Sequence, residues 1–85
     1  LLTFFSKMFY NIALMQKEDF LNKLGRHIVS TRKSKGLTQS ELASLCFKDR
    51  QSIERVENGK TNPTAFYLFE LARALNVSLK DLFDF

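Results

Sequence analysis

Asp49 to Lys60 reads DRQSIERVENGK, with a charged side chain at almost every turn and only Ile53 and Val56 breaking the polar run. Guanidinium, amide and carboxylate groups at this density either coat a solvated helix or form a surface that reads a polar partner. Other chemistries find less support. One cysteine, Cys46, cannot make an internal disulfide, and with a single histidine, His27, no cluster reaches the ligand count of a zinc site. Cys46 lies in an apolar helical stretch and reads as a small core residue. His27 has no acid or nucleophile near it and reads as an exposed helix residue. Gly25, Gly36 and Gly59 are too dispersed for a phosphate loop, and no nucleophile stands beside a base and its orienting acid. The expectation is therefore a protein that is not an enzyme and carries no cofactor or metal.

The elements that must hold this stretch come from a short chain. Its 85 residues, 45% hydrophobic, suffice for one small core. The net charge is +4, and it is concentrated: from Lys23 to Lys60 nine basic residues face four acids, while the rest is nearly neutral. A basic middle fits a polyanion-binding face, although a solvated surface alone also produces one. The opening LLTFFSKMFYNIAL is apolar and aromatic, with Lys7 as its sole charge. It is too short and too broken for a transmembrane helix and lacks the basic start and cleavage site of a secretory signal. Residues 1–16 thus read either as an arm that packs on the domain or on a partner chain, or as upstream sequence preceding Met8 or Met15; residues 17–85 form the domain.

Helical periodicity begins at Lys17, with Phe20, Leu21, Leu24, Ile28 and Val29 on one side and a basic last turn of Arg32, Lys33 and Lys35 before Gly36. Thr38 and Glu41 have the spacing of a capping box, so a second short helix starts at Gln39. Asp49 can cap a third from Arg50 to about Glu57, with Gly59 as a left-handed stop. Thr64 can cap AFYLFELARAL, in which Leu68, Leu71, Ala72 and Leu75 recur at helical spacing and Asn76 ends the run. Ser78 and Asp81 repeat the capping logic for SLKDLF. These signals predict an all-α fold of five short helices. The second and third are so short and so close that they can share a face only by crossing steeply, as in a helix-turn-helix, with Ala43 small at the contact.

At this point the residues resemble a known family. GLTQSELA at Gly36–Ala43, RQSIERVENGKTNP at Arg50–Pro63 and LARALNVSLKDLF at Leu71–Phe83 resemble the lambdoid phage repressors and Cro proteins, the Cro/CI-type or XRE helix-turn-helix family. The resemblance covers roughly residues 21–83 and implies a compact repressor-like DNA-binding domain whose third helix enters the major groove of double-stranded DNA. Carried over by position, Arg50, Gln51 and Arg55 take base-reading places, with Ser52 and Glu54 nearby. Arg can pair with guanine O6 and N7, and Gln with adenine N6 and N7. Glu54 either accepts from cytosine or orients Arg50 or Arg55. Gln39, Asn58, Lys60 and Thr61 match phosphate-contacting positions, and Arg32 with Glu57 matches a structural ion pair.

Two positions depart from the family pattern. Phe47 and Lys48 stand where the turn usually has glycine followed by an aliphatic residue, so either Phe47 is strained at positive φ or the turn takes another path. Lys48 at the turn could reach a phosphate. Phe66, Tyr67 and Phe69 lie off the buried side of their helix, and with Phe83 they suggest a two-fold homodimer through the late helices. The function expected is a cytoplasmic, nucleoid-associated regulator of bacterial or phage origin, usually a repressor, binding a palindromic operator as a dimer. It is expected to have no membrane partner and no attached sensor or protease domain. The alternative is an antitoxin-like module whose partner is another protein.

Overall fold

The computed structural model describes residues 16–85, so the expected N-terminal arm, apart from Gln16, lies outside the described residues. Among the described residues four α-helices follow in order: α1 (Lys17–Ser34), α2 (Gln39–Leu45), α3 (Arg50–Glu57) and α4 (Ala65–Leu75). The fifth expected helix is instead a short 3-10 helix, η1 (Lys80–Phe83). Its physical cause is local. Ser78 and Asp81 bond reciprocally through side chain and backbone at 3.1 Å, and the backbone closes three-residue steps from Asp81 to Ser78 and from Leu82 to Leu79. This tight turn drives Leu82 fully into the core.

Three of these helix starts carry the side-chain cap that their sequence signals. The Thr38 hydroxyl accepts from the Glu41 N–H at 3.1 Å while the Glu41 carboxylate accepts from the Thr38 N–H at 2.9 Å, a complete capping box. Those bonds hold the Glu41 carboxyl below the usual carboxylate range. Asp49 accepts from the Ser52 N–H at 2.7 Å and Thr64 from the Tyr67 N–H at 3.1 Å. Gln16, by contrast, starts α1 without a side-chain cap.

The core gathers Leu24 and Ile28 of α1, Leu42, Ala43 and Cys46 around α2, Ile53 and Val56 of α3, and Leu68, Leu71, Ala72 and Leu75 of α4. α3 packs chiefly on α1 and α2, and α2 also meets α4. Two expectations for α1 change. Phe20 is partly exposed, its ring stacked 6.3 Å from that of Phe83 and tilted against that of Phe85 at 5.8 Å, forming an aromatic satellite rather than core. His27 is half-buried: its Nε2 lies 2.7 Å from the Asp81 carbonyl, to which it donates, beside Phe85. Among the described residues no helix is long and apolar enough to cross a membrane.

All four α-helices of the described residues stop the same way. A left-handed residue follows the last turn, and the next N–H reaches back five residues: Leu37 to Arg32, Lys48 to Ala43, Lys60 to Arg55 and Val77 to Ala72, at 2.8–3.2 Å. The left-handed residues are Gly36, Phe47, Gly59 and Asn76. Three are types that tolerate this conformation. Phe47 is not; it sits at φ 57° with 90% of its surface exposed, so burial returns little for the strain. Phe47→Gly should therefore stabilise the domain by about 1 kcal/mol, the strain of about 1–2 kcal/mol being partly offset by the greater freedom of glycine when unfolded. Thermal denaturation checks it, since a lower melting temperature would mean that Phe47 packs on something.

Candidate nucleic-acid interface

α3 is built to show one polar edge. Ile53 and Val56 are buried, Asp49 is spent on the cap, and Arg50, Gln51 and Arg55 are exposed. With Glu54, Asn58 and Lys60 these three line one open groove along the helix. Thr61 follows in the same loop and is half-buried. α2 packs against α3, and the burial of Ala43, Ile53 and Val56 between the helices of the core leaves the opposite face of α3 turned outward.

A chain of side-chain bonds runs from the interior to this edge. Arg32 and Glu57 are 8% and 4% exposed. Arg32 Nε donates to Glu57 Oε2 at 2.6 Å and Nη2 to Oε1 at 3.1 Å, a two-bond fork linking the end of α1 to the end of α3. Arg32 Nη1 also donates to the Leu37 carbonyl at 2.9 Å. Gln39 Nε2 donates to Glu57 Oε1 at 2.9 Å, and Gln39 Oε1 accepts from Arg50 Nη1 at 3.2 Å. Arg50 Nη1 further donates to Glu54 Oε2 at 2.9 Å. Gln39 is thus a brace at the start of α2, and Glu54 lies against Arg50 rather than Arg55. Both bonds use Nη1, so the Nε–Nη2 edge of Arg50 has no partner among the described residues. That edge presents two parallel N–H donors, the geometry that pairs with guanine or with a phosphate.

Other sequence-derived candidates lie elsewhere. Lys48, expected to reach a phosphate, turns inward: its Nζ bonds Glu70 Oε1 at 2.8 Å and sits 4.8 Å from the centre of the Tyr67 ring. The Glu70 carboxylate holds the Lys48 ammonium pKa above its usual value. Ser52 does not line the groove along α3; its hydroxyl lies 2.7 Å from the Tyr67 hydroxyl. Tyr67 is therefore half-buried instead of belonging to an exposed patch, and burial raises its phenol pKa. Phe66 and Phe69 remain exposed at 65% and 45%, their rings 6.0 Å apart, with the Arg73 guanidinium over Phe69. Phe83 is partly covered by Phe20. Glu70 was missed in the sequence although it left a signal, because one acid inside AFYLFELARAL needs a partner when its helix is half-buried.

Comparison with known proteins agrees with this geometry. A family model described as helix-turn-helix, HTH_3, matches residues 28–82. An HTH-type transcriptional regulator of Sinorhizobium fredii is 38% identical over 64 residues, spanning 75% of this chain and 83% of that one. The competence pilus inhibition repressor of Acinetobacter baylyi is 33% identical over 60 residues, covering 71% of this chain and 54% of that one. The restriction-modification controller protein C.AhdI of Aeromonas hydrophila is a structural neighbour with TM-score 0.73 and 36% identity, covering 74% of this chain and 96% of that one. With α2 packed against α3 and a match over most of the chain, this protein belongs to the HTH_3 (XRE) family of helix-turn-helix DNA-binding transcriptional regulators.

Proposed function

We propose that the protein is a sequence-specific repressor that binds a palindromic operator as a homodimer, with α3 in the major groove. The observation that carries this reading is the braced Arg50 on the exposed edge of α3, held by Gln39 and Glu54 with its outer N–H pair open. Gln51 and Arg55 extend the same edge, while Asn58, Lys60 and Thr61 suit the phosphates beside it. Ser52 drops out of the reading set because Tyr67 occupies its hydroxyl. The exposed Phe66–Phe69 pair on α4 supports a second copy as the partner, with half-sites about one helical turn, roughly 34 Å, apart. A relative that is a repressor by name supports repression over activation. Such a regulator works in the cytoplasm, at the nucleoid.

Selection of preferred sites from a random DNA pool, followed by binding at several salt concentrations, tests this. Enriched palindromes with a steep salt dependence are expected. Weak binding to every sequence without enrichment would instead favour a protein-interaction module. Within the DNA reading, Arg50→Ala should relax preference at one base position and cost about 1–3 kcal/mol. Lys60→Ala should weaken binding to all sequences alike and lower the salt slope by about one.

A further inference from the structure

The turn between α2 and α3 lacks the residues such turns usually carry, and a polar cluster stands in their place. Lys48 crosses from the turn to α4, where Glu70 takes its ammonium at 2.8 Å and the Tyr67 ring lies beneath it. Tyr67 and Glu70 are three positions apart, so both stand on one side of α4. Tyr67 then reaches the first turn of α3 through the Ser52 hydroxyl at 2.7 Å. One turn of α4 therefore grips α3 on both sides of its cap, at residue 48 just before Asp49 and at residue 52 just after. α3 otherwise packs chiefly on α1 and α2, and Ile53 shares the buried core with Leu68 and Leu71, so these four side chains supply the polar tie between its starting end and α4.

We propose that Lys48, Glu70, Tyr67 and Ser52 form a latch that sets the angle of the reading helix, making them positioning residues for DNA selectivity. An aliphatic residue in a turn holds by burial, which is tolerant of small rotations. Charge-assisted and hydroxyl bonds have defined lengths and directions, so they hold the start of α3 at a fixed tilt. Side-chain exposures of 25% for Lys48 and 15% for Glu70 put this pair in a partly desolvated site, where it is less screened than a surface pair. Arg50 and Gln51 lie between the two grips, so a change of tilt moves them first. The same helix carries Phe66 and Phe69 on its exposed side, so the latch also connects the reading helix to the helix proposed to meet a second copy.

The selectivity part rests on the DNA-binding reading, so the test has an arm that needs no DNA. Tyr67→Phe keeps the ring and removes the bond to Ser52. Glu70→Gln removes the charge that holds Lys48. Both should speed backbone amide exchange at Ser52 and Ile53 in the DNA-free full chain while leaving Leu24 and Ile28 in α1 unchanged. On DNA, each should reduce the ratio of affinities for the selected site over its single-base variants by about two- to ten-fold, the worth of one such bond. The salt slope should stay as in the wild type. The charge swap Lys48→Glu with Glu70→Lys should restore much of what either change alone removes. Unchanged exchange in both single variants would overturn the latch even if the protein selected no DNA site at all. Faster exchange with unchanged selectivity would overturn its role in reading, and a swap that rescues neither readout would exclude the Lys48–Glu70 bond as part of it.

Discussion

Glu57→Ala is expected to lower the unfolding free energy by about 3–5 kcal/mol, because it leaves the Arg32 guanidinium buried without its counter-charge. The size follows from the geometry. Arg32 donates two bonds to Glu57 and keeps only the Leu37 carbonyl when the carboxylate is removed. For a domain of this size, whose total stability stands at the low end of about 5–15 kcal/mol, such a loss leaves a substantial unfolded fraction at physiological temperature. Arg32→Ala should be similarly costly, although Gln39 still donates to the stranded Glu57 carboxylate. Replacing both by methionine should cost less than either single change, since no charge is then left unpaired. Urea denaturation of the four proteins checks this. A loss near 1 kcal/mol for the single variants would show that water replaces the missing partner. A second effect is separable: Gln39 loses its acceptor in Glu57→Ala, so under the proposed function folded protein should also select less sharply at the base assigned to Arg50.

The helices and the helix-turn-helix were legible because their signals are local. Thr38–Glu41, Asp49–Ser52 and Thr64–Tyr67 are caps spaced three residues apart, and the four left-handed stops lie immediately after their helices. Five helices became four and a 3-10 turn because capping spacing marks where a helical turn begins, not how its hydrogen bonds continue. The polar edge of α3 was readable for the same reason, since Ile53 and Val56 declare the opposite side. Long-range pairing was not readable from spacing. Lys48 belongs with Glu70 and Ser52 with Tyr67, contacts set by how α4 docks. A lysine at a turn therefore looked free, and an aromatic next to Phe66 looked exposed. The strain at Phe47 lay between, since its residue type raised the question and only its φ answers it.

Gly25→Ala is expected to destabilise the domain although it removes a glycine from the middle of an 18-residue helix. On helix propensity alone the change should stabilise by about 1 kcal/mol. Space decides otherwise. A Cβ at Gly25 would lie 2.2 Å from the Glu57 carbonyl oxygen and 2.7 Å from that of Val56, which are backbone atoms at the end of α3. No flexible side chain can swing aside, so α1 and α3 must separate or the last turn of α3 must shift. Overpacking costs typically about 1–3 kcal/mol, and the rigid neighbour puts this case at or above the upper end, for a net loss of about 2 kcal/mol after the propensity gain. Thermal denaturation should show a fall of roughly 8–16 °C for a domain of this size. Arg26→Ala, one residue away on the exposed side, is the control and should change little. The displacement also acts on Glu57 itself, the residue whose carboxylate anchors both Arg32 and Gln39. Gly25→Ala and Glu57→Ala should therefore be less than additive in a double variant, because either change disturbs the same junction between α1 and α3. Strict additivity would mean that the backbone contact and the ion pair act independently, and that the close approach at Gly25 is not what brings Arg32 and Glu57 into register.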